Sequence, residues 1–442
     1  MPTTFRPYAP DQELLLPTSL REWLPEDHLA YFISDAVDAL DLSAFYKRYE
    51  GDGRRRAPFE PVMMVKVLLY GYATGVFSSR KIARKLEEDI AFRVLGANNF
   101  PAHRTIREFR QNHLQELSEL FLAVVKLAKE AGLVKLGRLG VDGTKVRANA
   151  SKRKAMSYGR MRKEEARLRQ EIEELLTRAE KQDRSEDWEH GDGQGDELPE
   201  ELKRREDRLK VIEAAKARLE AHQREMDEAA GRHEDDDRNT RGPTGRLCKR
   251  GLGEVPEKAQ ENFTDPESRI MNTHEGFQQC YNAQAAVDET HQLIVASDVS
   301  NASGDAGQLV PLVDQTRRNI GRKPERVLAD AGYASEATFE ELEARNIRAY
   351  VALGREGKRK RKIDPDRHPA TARMARRLAR APGKEHYRRR KAIPEPVFGW
   401  IKEVLGFRRF SMRGLDAARA EWNLVCVAMN LKRLHTVGWR PS

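Results

Sequence analysis

The chain has 442 residues, 34% of them charged, with a formal net charge of +10. That length allows two or three domains with a sizeable core, and the mean hydropathy of −0.75 goes with the lack of any window near the roughly 20 apolar residues of a membrane span. The opening Met-Pro-Thr-Thr-Phe-Arg-Pro has no apolar signal core, and Cys248, Cys280 and Cys426 are too scattered for a zinc spacing or disulfide framework, so a reducing, cytoplasmic compartment is expected.

Residues 1–130 read as helical. From Pro61, an apolar stripe of Val62, Val65, Leu68, Leu69 and Tyr72 predicts a helix. Ser78-Ser79 reads as an N-cap for a helix over 80–87, with Ile82, Ala83 and Leu86 inward. Further short helices are predicted over 89–95 and 104–117, separated by Gly96, Asn98, Asn99 and Pro101. Arg104, Arg107 and Arg110 on the last of them give a helix-turn-helix reading, against which stands a plain helical packing module.

The pattern changes to strands at Leu136. Arg138–Asp142 and Thr144–Ala148 read as two short strands joined at Gly143 in a tight hairpin. Two charge-rich helices follow over 160–182 and 200–228. Their Leu168, Ile172, Leu175 and Ala179, then Leu202, Leu209, Ile212, Leu219 and Met226, recur at heptad-like spacing. They predict an antiparallel helical hairpin inserted into a sheet domain, either a spacer or a surface for a second subunit. Gly191–Asp196 reads as its turn, and 231–253, with Asp235, Asp236 and Asp237, as a mobile linker. Strands resume over 279–287 and 293–299. A helix over 309–317, a buried strand over 326–329, a helix over 334–345 and a strand over 347–353 follow. A long helix over 416–435 closes the chain. The predicted fold is α+β or α/β. A helical region at 1–130 precedes the first strands at 131–158, the insertion and linker at 159–255, and the rest of a mixed sheet at 256–442.

Three segments carry the chemistry: Val141-Asp142-Gly143-Thr144-Lys145, Leu328-Ala329-Asp330-Ala331-Gly332-Tyr333 and Glu395-Pro396-Val397-Phe398-Gly399-Trp400-Ile401-Lys402. Each places a carboxylate at a strand edge or a helix start. Lys402 lies seven positions after Glu395, two helical turns along one face. Three such carboxylates can hold two divalent cations, because hard ions take oxygen ligands. A pair of cations suits in-line phosphoryl displacement. No Gly-rich phosphate loop appears, so ATP use is not implied, and Ser, His and Cys form no nucleophile arrangement.

In this order the segments resemble the DDE transposases of bacterial insertion sequences, with their RNase H-like catalytic core. Residues 61–111 look like their N-terminal DNA-binding region, and Tyr281–Asp288 like the strand before the second aspartate. Tyr387 to Lys402 looks like their tyrosine–arginine–glutamate–lysine signature. The position four before Glu395, arginine in the family, is Lys391 here, and Arg390 is one residue further off. The resemblance implies catalytic Asp142, Asp330, Glu395 and Lys402, the three acids holding two Mg²⁺ or Mn²⁺. Asp288, Asp298 and Asp305 do not match the family's acidic positions and are set aside.

Between Arg355 and Lys391 stand 16 Lys or Arg against 4 Asp or Glu, which leaves the remainder of the chain at −2. A polyanion gripped there lies beside Glu395 in sequence. Duplex DNA is the expected partner, as terminal inverted repeats and as target. Its contacts are expected from Arg104, Arg107, Arg110, Arg390 and Lys391. Pairing two element ends favours a homodimer or larger assembly. The expected activity is metal-dependent cleavage and strand transfer at the ends of the chain's own element. The alternatives are a nuclease that does not join strands and a catalytically dead DNA-binding regulator.

Overall fold

The computed structural model describes residues 19–49, 58–190, 200–233, 247–354 and 363–441. The Gly191–Asp196 turn, the acidic run Asp235–Asp237 and the basic stretch 355–362 lie outside the described residues.

The N-terminal region is helical: α1 (Leu29–Asp38), α2 (Ser43–Tyr46), α3 (Pro61–Ala73), α4 (Ser79–Glu88), α5 (Ile90–Leu95), α6 (His103–Asn112) and α7 (Leu114–Glu130). Pro61 opens α3, where its missing N–H costs nothing. Asp89 caps α5 by accepting from the Ala91 and Phe92 N–H groups. Ser78 precedes α4 as expected but makes no capping bond. The single helix expected over 104–117 is broken at His113, which leaves helical geometry at φ −120°, ψ 39°. Its buried ring lies against Phe45 and Phe109, with centroids 5.2 and 4.6 Å away. Burial of that ring in the core outweighs helix continuity.

The sheet begins with β1 (Arg138–Arg147), one strand of ten residues. The hairpin expected at Gly143 is therefore wrong. Gly143 continues the ladder opposite Gln284 of β5, and the bare glycine is there to clear neighbouring side chains rather than to turn. The short β2 (Ala155–Ser157) leads into α8 (Tyr158–His190) and α9 (Glu200–Ala229), and β3 (Gln260–Asn262) pairs with β2 beyond them. Then come β4 (Arg269–Thr273), β5 (Gly276–Asp288), β6 (Ile294–Ser300), α10 (Leu309–Ile320), β7 (Arg326–Ala329), α11 (Glu336–Ala344) and β8 (Arg348–Val351). The last elements are α12 (Pro369–Ala379), α13 (Ala381–Arg388), α14 (Pro394–Gly399) and α15 (Leu415–Thr436).

The main sheet runs β4-β5-β1-β7-β8, with β6 also on β5. β5 is antiparallel to β1, β4 and β6, whereas β7 is parallel to β1 and to β8. α15 lies against β6, α3 and α7, so one apolar core runs from α1 to the end of the chain. Trp422 of α15 is fully buried and its indole N–H donates to the Gln284 carbonyl at 3.0 Å.

The helical hairpin α8–α9 has its own small core. Met161 and Leu168 meet Ile212, Ala215, Leu219 and Val255, with Met156 of β2 and Phe263, the residue after β3, against them. Arg169–Glu213, Arg205–Glu171 and Lys216–Glu165 pairs link the two helices. The apolar stripe thus closes on its own hairpin and on the β2–β3 ribbon. Met226, expected on that stripe, is exposed.

Candidate active site

The parallel register of β1 and β7 pairs Gly140 with Leu328. Two residues further along each chain stand Asp142 and Asp330. Neighbouring strands run about 4.8 Å apart, so the two aspartates meet side by side where β7 ends. Asp330 leaves the strand to cap a short 3₁₀ turn, Ala331–Tyr333, accepting from the Gly332 N–H at 2.8 Å. Asp142 accepts from the Gly143 N–H at 2.9 Å. Burial pushes the Asp142 carboxyl up to about 6. The Gly143 N–H and the Arg390 charge pull it down, while Asp330 and Asp305 add to the rise.

Glycine at 140 decides what covers this end of the sheet. A Cβ there would lie 2.8 Å from Ile393 Cγ2 and from Pro394 Cδ. Only the absence of a side chain lets the start of α14 rest on β1. Residues 140 and 142 share one strand face, so α14 arrives over the face that carries Asp142. Glu395, the second residue of α14, is exposed there. The helix then widens into a π turn, Trp400–Val404, closed by the Leu405 N–H on the Trp400 carbonyl at 3.0 Å. Lys402 sits in that turn, so the simple two-turn α-helical spacing from Glu395 does not apply. π turns often occur at functional sites. Lys402 is part-buried, its Nζ 3.4 Å from the Lys145 carbonyl of β1. Burial lowers its pKa, Arg408 adds to that, and Asp142 is among the charges that oppose it. The positive charge of Arg390 also reaches Asp142, and its guanidinium lies over the Tyr387 ring. Lys391 is exposed.

Asp305, set aside on sequence, is at the centre of this cluster. Its Oδ1 accepts from Asn282 Nδ2 and Gln284 Nε2, each at 2.8 Å. Gln284 in turn accepts from the buried Tyr333 hydroxyl. A Cβ on Gly332 would lie 2.8 Å from Asp305 Oδ2 and 3.0 Å from Asp330 Oδ1. A Cβ on Gly143 would lie 2.8 Å from Asp305 Oδ1 and 2.2 Å from Gln284 Nε2. The two glycines clear the space in which three aspartates gather. The signal in sequence was Asp305 beside Gly304 and Gly307, just after a strand. Asp288 and Asp298 lie elsewhere: Asp288 accepts from the Leu136 N–H at 2.7 Å, and Asp298 pairs with Arg419 at 2.7 Å.

Asp142, Asp330 and the cradle at Gly332 present only oxygen donors, the donor set a hard divalent cation takes. By that chemistry the residues fit a divalent cation of that class. Among the described residues no three Asp, Glu, His or Cys side chains close into a ready cage. Glu395, exposed on α14, is therefore not part of such a cage with the aspartates.

Of the expected DNA contacts, Arg104 and Arg107 are exposed. Arg110 is not, and that expectation is withdrawn. It is 3% exposed and donates to Tyr72 Oη, the Phe77 carbonyl, Ser411 Oγ and Ser79 Oγ at 2.8–3.0 Å. Its partner in charge is Glu421 of α15, 3.8 Å away. The sequence held the clue: Ile106, Phe109 and Arg110 fall on one helical face.

Two family models match the chain: Transposase DDE domain over residues 239–431, and Transposase domain (DUF772) over residues 18–112. The chain belongs to the DDE transposases. Its sheet is accordingly the RNase H-like core of such a transposase. The first match spans Asp330, Glu395 and Lys402, and the second spans α1 to α6. Asp142 lies between the matched spans, and the β1–β7 register is what sets it beside Asp330. No curated protein and no solved structure matches the chain.

Proposed function

We propose that this DNA transposase cleaves the ends of its own element and joins them to target DNA, using Asp142, Asp330 and Glu395 to hold two divalent cations. The observation that carries the reading is the parallel pairing that brings Asp142 level with Asp330 under the start of α14. Divalent cations held there would supply the charge that stabilises the oxygens of a phosphoryl displacement. Asp142 and Asp330 supply charged oxygens, and Glu395 supplies a third from the helix above. Lys402 and Arg390 hold a phosphate against them as positive charges. Residues 1–130 serve as the DNA-binding region, 159–255 as an insertion, and 131–158 with 256–442 as the catalytic core. The partners are duplex element ends and target DNA in a paired-end assembly of at least two copies, in the bacterial nucleoid.

The test is a labelled duplex carrying an element end, incubated with Mg²⁺ and a target plasmid. Asp142→Ala, Asp330→Ala and Glu395→Ala are each expected to abolish cleavage while keeping DNA binding and thermal stability. Near-parental cleavage by any of them removes that residue from the site. Cleavage by the parent without joined products removes the strand-transfer step. Calorimetric titration with Mg²⁺ gives a readout independent of turnover, and an unchanged isotherm for Asp330→Ala argues against its role as a ligand.

A further inference from the structure

The withdrawal of Arg110 from solvent changes what α4 is for. Arg110 ties the two helices together: its guanidinium donates to Ser79 Oγ at the start of α4 and to the Phe77 carbonyl just before it. Ile82 and Leu86 of α4, with Ile106 and Phe109 of α6, are buried. Outside that seam α4 exposes Arg80, Lys81 and Arg84. Among the described residues none of the three has a hydrogen-bond or ion-pair partner.

Their position runs against the interest of the helix. A helix start carries partial positive charge and favours Asp or Glu, and its end favours cations. α4 has no acidic residue in its first turn, holds Arg80 and Lys81 there, and ends on Glu87 and Glu88. No side chain caps its first N–H groups. α6 repeats the pattern, with His103 and Arg104 at its start, no acidic residue in the first turn and no side-chain cap. At the start of α4 the bare N–H groups, the helix dipole and the unpaired cations add to one positive potential, which is complementary to phosphate; α6 meets this start with its Arg110 end, and its exposed Arg107 lies 3.8 Å from Glu108.

We propose that Arg80, Lys81 and Arg84 of α4 form a phosphate-binding face for duplex DNA, with Arg104 and Arg107 of α6 extending it. The proposal rests on the reading of the chain as a DNA transposase, and it makes α4 a backbone contact rather than a base reader. Phosphate contacts position a protein on DNA without selecting sequence.

The experiment uses the full chain and a mixed-sequence duplex, with binding measured by fluorescence anisotropy across a range of salt. Each phosphate contact contributes about 0.9 to the slope of log affinity against log salt. Arg80→Ala/Lys81→Ala/Arg84→Ala is expected to flatten the slope by about 2–3, equally on specific and mixed duplexes, with an unchanged melting temperature. Arg80→Lys/Arg84→Lys is expected to retain the parental slope. An unchanged slope in the triple Ala variant overturns the proposal, and so does a loss confined to the element's own ends. A parent chain that binds no duplex at all refutes the DNA partner itself, which is a different failure.

Discussion

Replacing Arg110 with Met tests whether this arginine is structure or DNA contact. The pair Arg110 and Glu421 is 3% and 0% exposed. Glu421 accepts from Tyr72 Oη at 2.9 Å, Ser411 Oγ at 2.5 Å, and the Ser411 and Met412 N–H groups at 2.8 and 3.1 Å. Arg110→Met removes the only cation paired with this carboxylate among the described residues and leaves the charge in the core. Breaking a buried pair from one side costs about 3–5 kcal/mol. One kcal/mol shifts the melting temperature of a domain of this size by roughly 2–4 °C, so the expected fall is on the order of 10 °C. Arg110→Met/Glu421→Gln removes the stranded charge while keeping an acceptor for the Ser411 N–H. The double variant is therefore expected to melt above the single one, although below the parent. Scanning calorimetry with DNA-binding measurements decides the matter. If Arg110→Met melts within 2 °C of the parent yet binds DNA more weakly, the burial argument fails and Arg110 returns to the DNA-facing set.

Two further outcomes follow from the aspartate cluster. Gly143→Ala places a Cβ 2.2 Å from Gln284 Nε2, whose amide is already held between Tyr333 and Asp305. A cost of about 1–3 kcal/mol is expected, with cleavage reduced more than DNA binding; parental cleavage by this variant would mean that the Gln284–Asp305 link does not shape the site. Asp142→Asn gives a pH signature. The folded carboxyl at about 6 lies above its ordinary 3.8, so the folded chain holds the proton more tightly than the unfolded one. Its ionisation therefore disfavours the fold fully above about pH 6, and not at all below about pH 4. In metal-free buffer Asp142→Asn is expected to melt higher than the parent at pH 8 and level with it at pH 3.5, and equal shifts at both pH values would contradict the buried placement of this carboxyl.

Much of this protein was legible along the chain. Local periodicity set the helical start, the paired charged helices and the strands flanking Asp330, because amphipathic repeats depend only on near neighbours. The segments around Asp330, Glu395 and Lys402 were also readable, since each is a short run of fixed spacing. Other features depended on residues far apart in sequence. Gly143 reads as a turn until Gln284 and Asp305 are seen pressing on it across the sheet. Arg110 reads as a solvated cation until Glu421, more than three hundred residues later, is placed beside it. Asp305 joins the aspartates only because β5 holds out Asn282 and Gln284 to receive it. Strand pairing and buried charge are non-local interactions, and only the folded chain brings their partners together. Most elements and the acidic segments can be read from local spacing, whereas strand register and burial, which depend on distant residues, set which carboxylates face each other.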